Sequence, residues 1–260
     1  MPRLHFNVWH MVSITSSRRR FSRALAALCA ALIFPALLAT AQAVPSSRRS
    51  DAAYASVAPR LTGELAAQGL DLGSPVYLRI TKEPAELTAF VRADDGTFKR
   101  FRSWPVCAVS GELGPKMREG DGQAPEGFYA VKPAQMNPAS SYHLSFNLGF
   151  PNAFDRANKR TGSFLMVHGA CASIGCFAMT DPVIEEIWTL MEAAFDGGQT
   201  DVKVHIFPFP MTAKNLEAHA DSEHAAFWAS LAPAWTAFEE TGKVPRVIVS
   251  RAKYQVRTVQ

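Results

Sequence analysis

A histidine, a serine and two cysteines lie within nine consecutive residues of the segment VHGACASIGCFAMTDP, residues 167–182. Such a set can form a disulfide, bind a metal ion, remain buried as packing, or place a thiol beside a base. A free thiol has a pKa of about 8.5, so a nucleophilic cysteine needs an imidazole or a helix N-terminus nearby. His168 precedes Cys176 by eight residues and a helix start follows, which favours a thiol nucleophile at Cys176.

The loop in front of Cys176 has the residue types that an acyl-transfer site needs. Gly175 lets the backbone approach a substrate closely, and the amides of Gly175 and Cys176 can donate hydrogen bonds to an oxyanion when a carbonyl is attacked. The hydroxyl of Ser173 can orient the loop or the substrate. We therefore predict Cys176 as the nucleophile, Gly175 as an oxyanion donor and Ser173 as an orienting residue.

Each of these residues also has a structural interpretation. Cys171 shapes the loop or pairs with Cys107, and an inactivating Cys171–Cys176 disulfide is a further alternative. A zinc site would need His143 or His205 as an added ligand, and the spacing matches no zinc signature. Both histidines are interpreted as ordinary strand positions. We predict neither a metal ion nor any other cofactor.

A glycine-rich loop at residues 111–127 is a second candidate part of the site. It contains five glycines and two prolines, and long loops of this kind in compact domains often carry function. Lys116 and Arg118 lie within it, and either side chain could bind a substrate carboxylate. A solvated loop without such a role is the alternative.

The first 43 residues have the pattern of an export signal. An arginine-rich start precedes an uncharged run at residues 24–40, and an A-x-A cleavage site ends at Ala43. The stretch SRRRFSR also resembles a twin-arginine signal. We expect a mature chain that begins near Val44 in the periplasm, with an uncleaved membrane anchor as the alternative.

Removal of that signal changes the charge balance of the chain. Five of the 27 Lys and Arg residues and none of the 23 Asp and Glu residues lie in the first 43 positions, which leaves 22 basic and 23 acidic side chains. The formal charge of +4 becomes −1, so the composition offers no basic surface for nucleic acid. About 217 residues remain, which is enough for one domain with a sizeable core.

Short runs rich in β-branched and aromatic residues predict about eight strands between residues 75 and 208. Several of the runs alternate apolar and polar residues, as half-buried strands do. The fold class predicted is mainly β with flanking helices (α+β), as a sandwich or an open barrel.

Three helical segments are predicted beside these strands. One begins at Asp181 as its cap and ends at Gly197. A short helix is predicted over Pro59–Gln68, after a linker at 44–57, and a longer one over 213–240 with an interruption at Pro233.

Three long segments together are similar to one enzyme family. VSGELGPKMREGDGQAPEGFYAV, MNPASSYHLSFNLGFPNAFDRANKRTGS and LMVHGACASIGCFAMTD resemble the L,D-transpeptidases with a YkuD-type catalytic domain, and within them the YafK-type branch. The resemblance covers about residues 75–210. It implies a β-rich sandwich whose cysteine attacks a carbonyl of a peptidoglycan stem peptide. The thioester that forms is then resolved by an amine or by water.

Position by position, the resemblance implies Cys176 as nucleophile and His168 as general base and acid, with Ser173 and Gly175 as the small residues before the nucleophile. Ile174 stands where most members of the wider family have a second histidine, and the spacing from histidine to cysteine is shorter than usual. The YafK-type branch shares both departures.

These observations predict the organisation and function of the whole chain. We expect an export signal, a linker with a short helix, a catalytic domain and a C-terminal helical extension, at residues 1–43, 44–74, 75–210 and 211–260. The expected function is an L,D-transpeptidase that acts on diaminopimelate-type stem peptides. The first alternative is a hydrolytic variant that cleaves stem-peptide bonds or releases envelope proteins from the wall. The second alternative is a non-catalytic wall-binding module.

Overall fold

The computed structural model describes residues 43–257, so the predicted export signal lies outside the described residues except for Ala43. The helices in this range are α1 (Arg48–Ala66), α2 (Ala153–Ala157), α3 (Asp181–Asp196), α4 (Ala213–Ala218) and α5 (Ala225–Thr241). The strands are β1 (Val76–Lys82), β2 (Ala85–Arg92), β3 (Phe98–Pro105), β4 (Ala108–Val109), β5 (Gly127–Val131), β6 (Met136–Asn137), β7 (Ser145–Asn147), β8 (Met166–His168), β9 (Phe177–Ala178), β10 (Val202–Phe207), β11 (Arg246–Ser250) and β12 (Lys253–Arg257). No helix between residues 43 and 257 has the length and apolar character needed to cross a membrane.

Two five-stranded sheets and one hairpin organise these strands. The first sheet has the order β3-β2-β1-β10-β5, and its only parallel pair is β1 with β10. The second sheet has the order β4-β9-β8-β7-β6, with β8 and β9 as its parallel pair. Strands β11 and β12 form a separate antiparallel hairpin. The prediction of a mainly β, α+β fold is therefore confirmed.

Alternation along the strands of the first sheet determines what each face contacts. Leu78 and Ile80 of β1 face a core shared with the second sheet and with helices α1 and α3. Tyr77, one residue before Leu78, faces the other way and packs on Phe90 and Phe238. Because side chains alternate with a period of two, one strand serves both the central core and a second layer under α5.

Helix α1 is longer than the sequence predicts. Ser47 caps it in a reciprocal pair with Ser50, so most of the segment interpreted as a linker is helical. The buried positions Ala53, Val57, Leu61 and Leu65 recur at every fourth residue and form one apolar face. The predicted start at Pro59 was wrong because this proline lies inside a helix whose apolar face is already docked.

The C-terminal part is not entirely helical, which corrects the prediction for residues 211–260. The helical break lies between α4 and α5, whereas Pro233 is inside α5 and does not end it. Gly242, which has a φ of 63°, caps α5, and the chain then forms the β11–β12 hairpin. Arg246 and Arg257, both exposed, begin and end that hairpin, and none of its strand residues is buried.

Candidate active site

His168 ends strand β8, and Cys176 lies one residue before strand β9. The strands pair in parallel with His168 opposite Ala178. Cys176 is therefore level with Met166, whose backbone N–H donates to Sγ at 3.4 Å. The two residues are two strand positions apart, roughly 6–7 Å along the strand direction. Strand pairing thus determines the relative position of the imidazole and the thiol.

The ring of His168 is buried and has two close neighbours. Nδ1 donates to the carbonyl oxygen of Gly169 at 2.6 Å, and the ring of Tyr142 covers it with centroids 4.7 Å apart. A carbonyl oxygen can only accept, so Nδ1 carries the hydrogen and Nε2 of the neutral ring has a lone pair. Burial lowers the pKa of His168, and the bond to Gly169 offsets part of this effect. His168 is therefore set up as a neutral base.

The thiol of Cys176 is unpaired, and the residue is 9% exposed. Its Sγ lies 3.7 Å from the carbonyl oxygen of Phe164, which accepts from the thiol. Burial raises the pKa of Cys176, while the N–H of Met166 and the positive charge of Lys116 act in the opposite direction. The resting site thus combines a protonated thiol with a neutral imidazole rather than an ion pair.

Two serine hydroxyls hold the loop in front of the nucleophile. Oγ of Ser173 accepts from the amide of Cys176 at 3.0 Å and donates to the carbonyl oxygen of the same residue at 2.6 Å. Oγ of Ser110 accepts from the amide of Gly175. Both amides that we predicted as oxyanion donors are therefore occupied in this conformation. Ser173 shapes the loop, and Ser110 is a contributor that sequence spacing alone did not indicate.

A disulfide joins Cys107 to Cys171, with the Cα atoms 5.4 Å apart. This confirms one of the two structural interpretations of Cys171, and it leaves the Cys176 thiol free. The neighbouring Ala170 and Cys171 both have positive φ values, 65° and 44°. The amide of Ala170 also donates to Oδ1 of Asp181, at the start of α3. The disulfide and the Asp181 contact thus both restrain the loop between β8 and Cys176.

Lys116 does not present its ammonium group to a substrate, which corrects our prediction for this residue. It is 4% exposed, and Nζ donates to Oδ1 of Asp121 at 2.5 Å and to the carbonyl oxygen of Arg118 at 3.0 Å. Burial acts to raise the pKa of Asp121, but backbone and Lys116 hydrogen bonds lower it to about 2. The side chain of Arg118 is exposed and lines a cavity of about 320 Å³, so its predicted role stays a prediction.

A buried carboxylate that the sequence analysis did not single out supports the 111–127 loop. Glu126 is 1% exposed and accepts from the ammonium of Lys82 at 3.1 Å, from the amide of Gly114 at 2.7 Å and from the indole of Trp228 at 2.8 Å. The ammonium of Lys82 also donates to the carbonyl oxygen of Gly114 at 2.7 Å. Helix α5 is thereby connected to the loop through Trp228. Since Lys82 and Trp228 come from distant parts of the chain, no local pattern could identify these contacts.

Large apolar side chains near the thiol are exposed. Ile174, in the nucleophile loop, is 90% exposed, and Phe164, whose carbonyl contacts Sγ, is 73% exposed. Tyr142, on the ring of His168, is 44% exposed. A substrate that approaches the thiol therefore meets apolar surface as well as polar backbone.

Among the described residues, neither His143 nor His205 forms a hydrogen bond with His168. The structure places His143 in the turn before β7, with a φ of 63°, which corrects its interpretation as a strand position. His143 binds Oε1 of Glu185 through Nε2 at 2.7 Å. His205 lies on the first sheet with its ring against Tyr77 and Phe128. Within residues 43–257, no group of three or more His, Cys, Asp or Glu side chains is arranged to hold a metal ion.

The geometry can be compared with known protein families. The family model of the YkuD L,D-transpeptidase catalytic domain matches residues 76–206, which include the thiol, the imidazole and the disulfide. The chain belongs to this family. The resemblance noted in the sequence is thus confirmed, and membership supports a function related to peptidoglycan.

A curated relative supports the same family and branch. The chain is 44% identical over 185 residues to the Escherichia coli K12 protein named "Putative L,D-transpeptidase YafK", covering 71% of this chain and 75% of that protein. The protein of the same name from Escherichia coli O157:H7 matches to the same extent. These matches confirm the predicted YafK-type branch.

Two solved structures are similar at lower identity. The helical cell shape determining protein Pgp2 from Campylobacter jejuni is 16% identical, with a TM-score of 0.41 and coverage of 73% of this chain and 80% of that one. Bd1075 from Bdellovibrio bacteriovorus is 16% identical, with a TM-score of 0.38 and coverage of 68% and 77%. The family assignment does not depend on either.

Proposed function

We propose that this protein is a periplasmic L,D-transpeptidase that acts on diaminopimelate-type stem peptides of peptidoglycan through a thioester on Cys176. One observation carries the proposal most directly. The bond from Nδ1 of His168 to the carbonyl of Gly169 leaves Nε2 as a base, two strand positions from an unpaired thiol.

The first half-reaction begins with proton transfer from the thiol of Cys176 to Nε2 of His168. The thiolate attacks the carbonyl carbon of the stem peptide, and a tetrahedral intermediate forms. When the intermediate collapses, the carbon–nitrogen bond breaks and the imidazolium returns its proton to the departing amine. The acyl group is then held as a thioester, and the imidazole is neutral again. Sγ and the ring must approach each other during this step, because no hydrogen bond joins them within the described residues.

The second half-reaction uses the same imidazole. An acceptor amine approaches the thioester, and His168 removes a proton from it as the new amide bond forms. The carbon–sulfur bond breaks, and the thiolate of Cys176 takes that proton from the imidazolium, which restores the thiol and the neutral imidazole. Water in place of the amine would give hydrolysis.

The disulfide supports the proposed compartment. Structural disulfides persist in oxidising compartments such as the bacterial periplasm, and Cys107 and Cys171 form one beside the nucleophile loop. The arginine-rich start and the A-x-A site of the first 43 residues support the same location.

Incubation with purified sacculi tests the proposal. The protein and its Cys176→Ala variant are each incubated with sacculi, with and without a free amine acceptor, and the muropeptides are then separated. Transpeptidation predicts new cross-links between diaminopimelate residues or incorporation of the amine. Intact-mass analysis of the trapped protein should show an acyl adduct that Cys176→Ala lacks.

The other outcomes separate the alternatives. Loss of cross-links or release of wall-attached protein, dependent on Cys176, would indicate the hydrolytic variant. Identical muropeptides with the protein and with Cys176→Ala would rule out catalysis and leave a wall-binding module.

A further inference from the structure

A cavity of about 520 Å³ lies between strands β5 and β10, helix α2 and strand β11. None of its lining residues belongs to the 111–127 loop or to the segment 167–182, so it is separate from the candidate active site. Its volume lies in the range of pockets that enclose small organic ligands.

The charged groups that line this cavity are all positive. Arg156 comes from α2, Lys203 from β10 and Arg246 from β11, and no Asp or Glu is among the lining residues. Lys203 is paired with Asp201 at 2.6 Å. Among residues 43–257, no carboxylate lies within ion-pair distance of Arg156 or Arg246. Arg246 is also directly opposite Arg257 in the hairpin. An anion entering the cavity would therefore meet uncompensated positive charge.

A buried histidine in the same lining points to a ligand independently of these charges. His205 is 2% exposed, and its Nδ1 has no hydrogen-bond partner among the described residues. Buried polar atoms nearly always have a partner, so an unpartnered one in a cavity wall needs an explanation. Burial, with the charges of Lys203 and Arg79, lowers the pKa of His205 to about 3. The ring is therefore neutral near pH 7, and its Nδ1 still lacks a hydrogen-bond partner within residues 43–257.

Apolar side chains also line the cavity. Phe128, Leu148, Val247 and Ile248 contribute to it. A site lined by both cations and apolar side chains matches a ligand that is itself amphipathic. We propose that this cavity binds an organic anion, with a carboxylate or phosphate group at Arg156 and Arg246 and an apolar portion against Phe128 and Leu148. This site goes beyond the proposed function and does not depend on it.

Calorimetric titration of the intact protein tests this proposal with four probes: octanoate, octyl phosphate, inorganic phosphate and the neutral octyl glucoside. We expect octanoate or octyl phosphate to bind more tightly than inorganic phosphate, and octyl glucoside not to bind. The preferred headgroup distinguishes a carboxylate ligand from a phosphate ligand.

Variants locate the binding. Because each charge-assisted hydrogen bond contributes about tenfold in affinity, Arg156→Gln with Arg246→Gln should weaken binding at least tenfold. Lys253→Gln removes a charge from the same hairpin outside the cavity and should leave the affinity within about twofold. Ala153→Phe keeps every charge and fills the mouth of the cavity, so it should also abolish binding. Thermal unfolding verifies that each variant folds.

Three results would overturn the proposal. They are no binding of either amphipathic anion at millimolar concentration, equal binding of octyl glucoside, and unchanged affinity in the folded double-arginine variant. None of these measurements requires Cys176, so failure here is distinguishable from failure of the proposed catalytic function.

Discussion

Nδ1 of His168 lies 2.6 Å from the carbonyl oxygen of Gly169, the next residue in the chain. This bond fixes the tautomer of the ring before any substrate arrives, and burial keeps the ring neutral by lowering its pKa. The same burial raises the pKa of the Cys176 thiol. The pKa of the imidazole is lowered and that of the thiol is raised. Both shifts disfavour the thiolate–imidazolium pair in the unliganded protein.

Alkylation of Cys176 by iodoacetamide should therefore be slow at neutral pH. The thiolate is the reactive form, so the rate should rise with pH, with a midpoint above that of an ordinary cysteine. Between residues 43 and 257, mass spectrometry should find one modified residue, because Cys107 and Cys171 are joined. The denatured but unreduced protein, whose thiol is exposed, is the control. A midpoint well below the ordinary value would show a preformed ion pair and contradict this view of the site.

Lys116→Met should move that alkylation midpoint further into the alkaline range. The positive charge of Lys116 lowers the pKa of Cys176 and so offsets part of the increase that burial causes. Without that charge, the pKa of the thiol should rise further. The variant should also lose about 1–3 kcal/mol of stability, because Asp121 loses a charged donor. Lys99→Met, which removes an exposed lysine on β3, is the matched control. An unchanged midpoint in a folded Lys116→Met protein would show that this ammonium does not act on the thiol.

Replacement of both Cys107 and Cys171 by serine should destabilise the protein by about 2–4 kcal/mol. The disulfide closes a separation of 64 residues, and loss of such a link increases the conformational freedom of the unfolded chain. The double variant avoids a new pairing with Cys176. Urea unfolding measures the loss, and the sacculus assay should show reduced turnover because the nucleophile loop has lost one of its two supports. Full stability together with full turnover would show that the link is dispensable.

Trp228→Phe should destabilise the protein by about 1.5–3 kcal/mol, because Oε2 of the buried Glu126 loses its indole donor. Hydrogen exchange within the 111–127 loop should become faster. Trp235→Phe is the control, since this indole packs on Arg79 and Phe207 of the first sheet rather than on the loop. Equal exchange in the 111–127 loop of both variants would mean that helix α5 does not stabilise it.

The sequence predicts those parts of the site that depend on local order. Strand alternation predicts β1, β2 and β10, while the segment from His168 to Cys176 identifies a base, a loop and a thiol in the correct order. The sequence predicts the N-cap of α3 at Asp181, one residue later than the structure shows it. Thr180 occupies the cap position, and Asp181 bonds instead to the amide of Ala170. A tertiary contact has thus displaced a local capping preference.

Contacts between distant segments of the chain could not be predicted from the sequence. The sequence suggests that Lys116 binds a substrate carboxylate from a glycine-rich loop, yet this side chain is buried beside Asp121. Ser110 and Glu126 act on residues 65 and 102 positions away. Neither separation leaves a periodic or compositional signal, so only the folded arrangement shows the role of these side chains.

The bond between Cys107 and Cys171 has a consequence for biogenesis. The described residues contain three cysteines, which allow three different single disulfides, and only one of these leaves the thiol of Cys176 available. An oxidised population with the wrong connectivity would contain inert protein, however well the rest of the chain had folded. Production of active protein should therefore depend on oxidative folding that pairs Cys171 with Cys107. The efficiency of thiol-disulfide isomerisation would then determine what fraction of the molecules has a free Cys176 thiol.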